Sequence, residues 1–99
     1  DRFMVTLDIG HFVAGNNDPV AFIAKHHARI VNIHIRARKR NNGPSRPFGQ
    51  GDTLIVAVLR LIRDHQYPIR CYLEYEYGSF KSSTEELKRC LAYCRQALA

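Results

Sequence analysis

Three residues with metal-ligand chemistry recur at comparable places along the chain. They are Asp8 in "LDIGH", His34 in "NIHIRAR" and Glu74 in "YLEYEY". Each lies near the C-terminal end of an alternating, strand-like run and on the face opposite the apolar residues of that run. In parallel α/β folds ligands gather at the C-terminal ends of the strands, and neighbouring strands are only about 4.8 Å apart. Side chains from three adjacent strands can therefore meet at one point. An aspartate, a histidine and a glutamate brought together would repel or go unsatisfied without a partner. A divalent cation satisfies all three, and this donor set suits Mn, Mg, Co or Zn without selecting among them.

Taken singly, each residue has a plainer reading. A strand-end aspartate is usually a helix or turn cap, and an inward histidine is usually a satisfied core residue. The joint recurrence in three successive units is what favours a metal site. Glu76 shares the face of Glu74 one pleat further on, where it either meets a substrate or faces solvent. His11, just after Asp8, is placed either to meet a substrate or to sit in a surface loop. His26, His27 and His65 lie on or after helices and receive no role.

The elements that would position these groups repeat as strand then helix. The first strand spans roughly Phe3 to Ile9, followed by a loop from Gly10 to Asn17. Asp18 is a good helix cap and Pro19 suits the first helical position, so a helix follows to about Ala28. The second strand is Ile30 to Arg36, with Val31, Ile33 and Ile35 on one face and Asn32, His34 and Arg36 on the other. A long loop rich in Gly, Pro and basic residues runs from Ala37 to Asp52. Loops of that length in compact domains are usually functional or disordered. Asp52 or Thr53 would cap the next helix, whose Leu54, Ile55, Val58, Leu61 and Ile62 recur at helical spacing up to about His65. The third strand is Ile69 to Tyr77. Ser83 and Glu86 form a capping-box pattern, and Leu87, Leu91, Cys94 and Leu98 form the expected buried stripe of the last helix. Alternating strands and helices imply a parallel sheet with right-handed crossovers.

The chain has 99 residues, 45% hydrophobic and 24% charged, enough for one modest domain and too short for two. No stretch approaches the roughly 20 apolar residues of a membrane-spanning helix. The net charge of +6 invites phosphates, nucleic acid or an acidic partner. Arg36, Arg38, Lys39, Arg40 and Arg46 could hold a phosphate or form a solvated surface. Few aromatics interleave with them, which speaks against base stacking. Cys71, Cys90 and Cys94 are odd in number and lack CxxC spacing, so buried thiols are expected at Cys90 and Cys94 rather than a disulfide framework or zinc ribbon. No compartment is named by the sequence. The cytoplasm is the default, with export open because the chain does not begin with Met.

"LDIGH", "NIHIRAR", "RPFGQGD" and "YLEYEY" together resemble the last three strand–helix units of the xylose-isomerase-like TIM barrels. This is the sugar phosphate isomerase/epimerase superfamily, which also contains the apurinic endonucleases. The resemblance covers essentially the whole chain, residues 1–99, as the C-terminal part of such a barrel. A complete barrel needs about 250 residues, so the expected partners include the remaining N-terminal barrel segment or another copy of the chain. The resemblance implies that Asp8, His34 and Glu74 are three of four metal ligands, the fourth being a glutamate on a strand preceding Asp1. It also implies a substrate role for His11 and for Arg38 or Arg40. Two departures matter. Relatives commonly carry an Asp where this chain has Ala37, and the loop around Gly43 to Pro47 lacks the Asp and His of the endonuclease branch.

What the resemblance implies chemically is isomerisation or epimerisation of a sugar or sugar phosphate. A proton shifts beside a carbonyl through a metal-stabilised enediolate, with Glu74 as one of two carboxylates serving as acid and base. An isolated 99-residue chain would be inactive, because one ligand and much of the barrel lie outside it. The alternatives are an apurinic-endonuclease-like nucleic-acid-processing relative, disfavoured by the missing loop ligands, and a non-catalytic partial-barrel interaction module.

Overall fold

A computed structural model describes residues 3–75 and 82–99. The expected alternation is present: β1 (Val5–Asp8), a short α1 (Ile9–Ala14), α2 (Pro19–His26), a 3-10 turn (His27–Arg29), β2 (Ile30–Ile35), α3 (Ile55–His65), β3 (Arg70–Leu73) and α4 (Ser83–Leu98). The strands form one parallel sheet in the order β1-β2-β3. The sheet is open, as expected for part of a barrel. Among the described residues no helix is long and apolar enough to cross a membrane.

Helices cover one face of the sheet. Ile9, Ile23, Ile33, Ile35, Ile55, Val58 and Cys90 are fully buried there, with Leu7, Leu59, Phe48 and Cys94 packed around them. α2 begins as the sequence predicts. The Asp18 carboxylate accepts from the Val20 and Ala21 amides at 2.9 and 3.2 Å, and Pro19 occupies the first turn. α3 is tied to the end of α4, where Arg60 Nε donates to the Ala97 carbonyl at 2.9 Å and Arg63 Nη1 to that of Leu98 at 3.3 Å. Cations at a helix C-terminus also complement its dipole.

Several boundaries differ from the sequence reading, each for an identifiable reason. The expected loop after β1 instead turns directly into α1, because Asp8 caps it by accepting the His11 amide. In β2, Ile30 is buried while Val31 is 38% exposed. The pairing runs from Val5↔Ile30 to Thr6↔Asn32, so Val31 is skipped, and such a bulge reverses the alternation on its N-terminal side. Neither Asp52 nor Thr53 caps α3. Both are drawn into the preceding loop, Asp52 by the Arg40 amide and Thr53 by the Arg38 amide, and Leu54 opens α3 with no side-chain cap. α4 is capped one residue earlier than expected, by Ser82 to the Glu85 amide at 3.1 Å. The described part of β3 ends at Leu73, and Glu76 and Tyr77 lie outside the described residues.

The largest revision concerns α4. Its buried face is Glu86, Cys90, Cys94 and Ala97, whereas Leu87, Leu91 and Leu98 are 39–46% exposed. The small side chains of that face let the helix approach the core closely. Leu87 and Leu91 line an apolar cavity of about 370 Å³ with Leu73 and Tyr75 at the end of β3. The thiols behave as expected of core residues. Cys90 and Cys94 are buried, and burial, reinforced by the neighbouring Cys90 and Cys71 thiols, pushes Cys94 up to about 11.

Candidate metal centre

Asp8, His34 and Glu74 meet at the C-terminal mouth of the sheet. Asp8 pairs with His34 in the β1–β2 register, and His34 with Tyr72 in the β2–β3 register. Glu74 lies two residues beyond Tyr72, so it projects from the same face. The ladder continues to it, because the Glu74 amide donates to the Ile35 carbonyl at 2.9 Å. One ligand atom from each of the three residues lies within 4.8 Å of the other two. Two carboxylates and an imidazole at that spacing fit a divalent cation of the Mg, Mn, Co or Zn type.

Each donor is already oriented. Asp8 Oδ1 accepts the His11 amide at 2.8 Å, which fixes the carboxylate and leaves Oδ2 toward the mouth. The cap reading and the ligand reading of Asp8 are therefore compatible. His34 Nδ1 stands 2.9 Å from Glu74 Oε1. The Tyr72 ring meets the His34 ring edge-on, at 6.1 Å between centroids.

The sequence reading placed Arg36 among the loop cations, but it belongs to this centre. Its side chain is 8% exposed; Nη2 donates to Glu74 Oε2, and Nε lies 3.3 Å from Asp8 Oδ2. The signal was available, because a residue two after His34 on a strand must share its face. The hydrogen bond from Arg36 is the main cause holding the Glu74 carboxyl below the ordinary glutamate range; burial opposes it, and the charges of His34, Arg36 and His11 add to it. A cavity of about 320 Å³ opens beside Arg36 and Glu74, bounded also by Leu73, Tyr75 and Leu87.

The expected substrate residues divide. His11 is exposed at the rim, with Nε2 3.6 Å from Asp8 Oδ2. Arg38 reaches the same ring, Nη1 standing 2.8 Å from His11 Nδ1. Its Nε and Nη2 also donate to the Gly43 carbonyl at 2.9 and 2.8 Å, so Arg38 closes the loop that follows β2 on itself. Arg40 is not brought to this cluster. Its amide donates to Asp52 Oδ2 at 2.8 Å, and the residue lines a separate cavity with Val13, Asn16 to Pro19 and Leu54. The loop is thus internally built. An antiparallel bridge joins Arg38 to Ser45, Phe48 is buried against Tyr93, and Gly49, at φ 91°, sits in the turn that the Gln50 amide closes onto the Pro47 carbonyl. That φ is one glycine adopts without strain.

No family model matches the chain, and no curated protein matches its sequence. Two solved structures from Parabacteroides distasonis, both described as sugar phosphate isomerase/epimerase, are similar in fold. One aligns with a TM-score of 0.69 at 24% identity over 91% of this chain, the other with 0.70 at 21% identity over 91%. The chain spans only about 30% of the length of either. The likeness is one of fold: the open parallel α/β sheet of this chain matches part of each of these two structures.

Proposed function

We propose that this chain supplies the C-terminal, metal-holding part of a divalent-metal-dependent isomerase or epimerase acting on a sugar or sugar phosphate. The observation that carries the reading is the convergence of Asp8, His34 and Glu74 within 4.8 Å at the strand ends of this fold. Asp8 Oδ2, a His34 ring nitrogen and Glu74 Oε1 would hold the cation. When bound, it would supply positive charge beside a sugar carbonyl and so acidify the neighbouring C–H. Glu74, kept ionised by Arg36, would be one of the two carboxylates that move the proton. Its lowered pKa makes it a mild base, so it depends on that acidification. His11 and Arg38, joined at the rim, would orient the sugar hydroxyls. The remaining barrel segment, or a second copy, would cover the free edge of β3 and the leucines of α4. Arg36 and Arg38 are committed to internal partners, which removes them from any phosphate-tracking stripe and disfavours nucleic acid.

The test has two parts. Isothermal titration of the chain with Mn²⁺ should show one site that His34→Ala removes. The protein joined to the remaining barrel strands should exchange deuterium from solvent into a ketose or aldose at the carbon beside the carbonyl, again lost in His34→Ala. A chain that binds no divalent cation at millimolar concentration refutes the proposal.

A further inference from the structure

Resting on the metal reading above, we infer that Arg36 is a positioning residue that sets how, and how tightly, this centre takes a divalent cation. The guanidinium holds Glu74 by Oε2, leaving Oε1 beside His34 Nδ1. Glu74 is thereby presented as a one-oxygen ligand. The same guanidinium faces Asp8, with Nε 3.3 Å from Oδ2, so both carboxylates are drawn toward one fixed cation before any metal arrives. Two carboxylates and a neutral imidazole carry a charge of −2, and Arg36 reduces it to −1. A divalent ion then meets three donors whose charge is already half neutralised.

The geometry is specific to Arg36. The Arg38 guanidinium donates to the Gly43 carbonyl, and Arg40 lines a separate cavity beside Asn16 and Asp18. Gly10 is part of the same device, because it lets the start of α1 lie directly on Arg36. A Cβ at position 10 would come within 2.7 Å of the Arg36 carbonyl oxygen and 2.9 Å of its Cβ and Cγ. The arginine is therefore wedged from behind and tethered in front.

The experiment is a Mn²⁺ titration of the full chain and two variants by calorimetry. Arg36→Gln keeps an N–H donor for Glu74 and removes the charge. Losing a unit positive charge a few ångströms from a divalent ion is worth about tenfold in affinity even at the dielectric of water, so this variant should bind at least about tenfold more tightly. Arg36→Lys keeps the charge and should stay within about threefold of the parent. On the unmutated chain, which needs no variant to fold, diamagnetic Mg²⁺ or Zn²⁺ should shift the Arg36 Nε–H resonance and leave that of Arg60 in place. Equal or weaker binding by Arg36→Gln, or an Arg36 resonance blind to metal, overturns the inference. If the parent binds and Arg36→Gln binds no tighter, the metal site stands and only the role of Arg36 falls. If neither binds, both fall together.

Discussion

Gly10→Ala offers the sharpest test of how the centre is braced. Position 10 is buried within α1, and in an ordinary helix alanine is more favourable than glycine by up to about 1 kcal/mol. Here the added methyl would meet the Arg36 backbone oxygen at 2.7 Å and two Arg36 side-chain carbons at 2.9 Å, all inside van der Waals contact. Relief by a rotamer change is blocked, because Arg36 is buried and tethered to Glu74 and Asp8. Relief by backbone movement would pull β2 away from α1. Overpacking of this kind costs about 1–3 kcal/mol, which outweighs the helical gain. At roughly 4–8 °C per kcal/mol for a domain of this size, a net loss near 1.5 kcal/mol lowers Tm by about 6–12 °C. Urea and thermal unfolding followed by far-UV circular dichroism would measure it. The same variant should release Glu74, visible as a carboxyl carbon resonance moving back toward ordinary glutamate titration. A Gly10→Ala chain as stable as the parent or more so would show that α1 does not press on Arg36.

Ile33→Ala, in the fully buried centre of β2, should cost about 2–5 kcal/mol. Leu91→Ala, on the exposed face of α4, should cost under about 1 kcal/mol in the same urea titration; similar losses at the two sites would mean that α4 is rotated relative to the packing described. Asp52 is held below the usual aspartate range chiefly by the Arg40 amide hydrogen bond, with Lys39 and Arg40 charges adding to it against the opposing effect of burial. A depressed carboxyl stabilises the fold above its unfolded pKa and loses that contribution as pH falls through the folded value. Protection of the Arg40 amide, relative to the intrinsic exchange rate at each pH, should therefore fall as pH drops through the lowered Asp52 value, and Asp52→Asn should weaken this dependence. In native conditions a thiol reagent should label Cys71 first, because it is exposed while Cys90 and Cys94 are buried. Labelling of Cys94 at the same rate would contradict its burial.

Periodicity made the repeated units and the convergence of Asp8, His34 and Glu74 legible, because burial on one face of a parallel sheet forces polar groups to the other and strand ends bring them together. Asp18, Pro19 and the α3 stripe were readable for the same reason: local chemistry and tertiary packing agree there. The misreadings arise where tertiary context chose between locally equal options. Asp52 and Thr53 are both competent caps, but the Arg40 and Arg38 amides claimed them first. The stripe of Leu87, Leu91 and Leu98 in α4 is the more apolar, yet the face with Cys90, Cys94 and Ala97 packs inward because small residues permit closer approach. Val31 and Ile30 exchanged roles through a bulge that alternation alone does not encode. Arg36 was legible by its spacing from His34, but the surrounding basic residues disguised it as part of a charged loop.

The stretch that joins β1 to α1 explains why these observations belong together. Asp8 ends the strand and caps the helix, so one carboxylate oxygen takes the His11 amide while the other faces Arg36 at the mouth. Gly10 follows because the new helix must lie against Arg36, which would otherwise have room to swing away. His11 receives the cap through its amide and turns its ring to the rim, where Arg38 meets it. Arg36, pressed from behind by α1, faces the carboxylates of Asp8 and Glu74. A single tight strand-to-helix turn thus orders Asp8, presses on Arg36 beside the Asp8 and Glu74 carboxylates and sets His11 at the rim. A substitution in that turn should therefore act on stability and on metal affinity together, whereas one at Leu91 should touch neither.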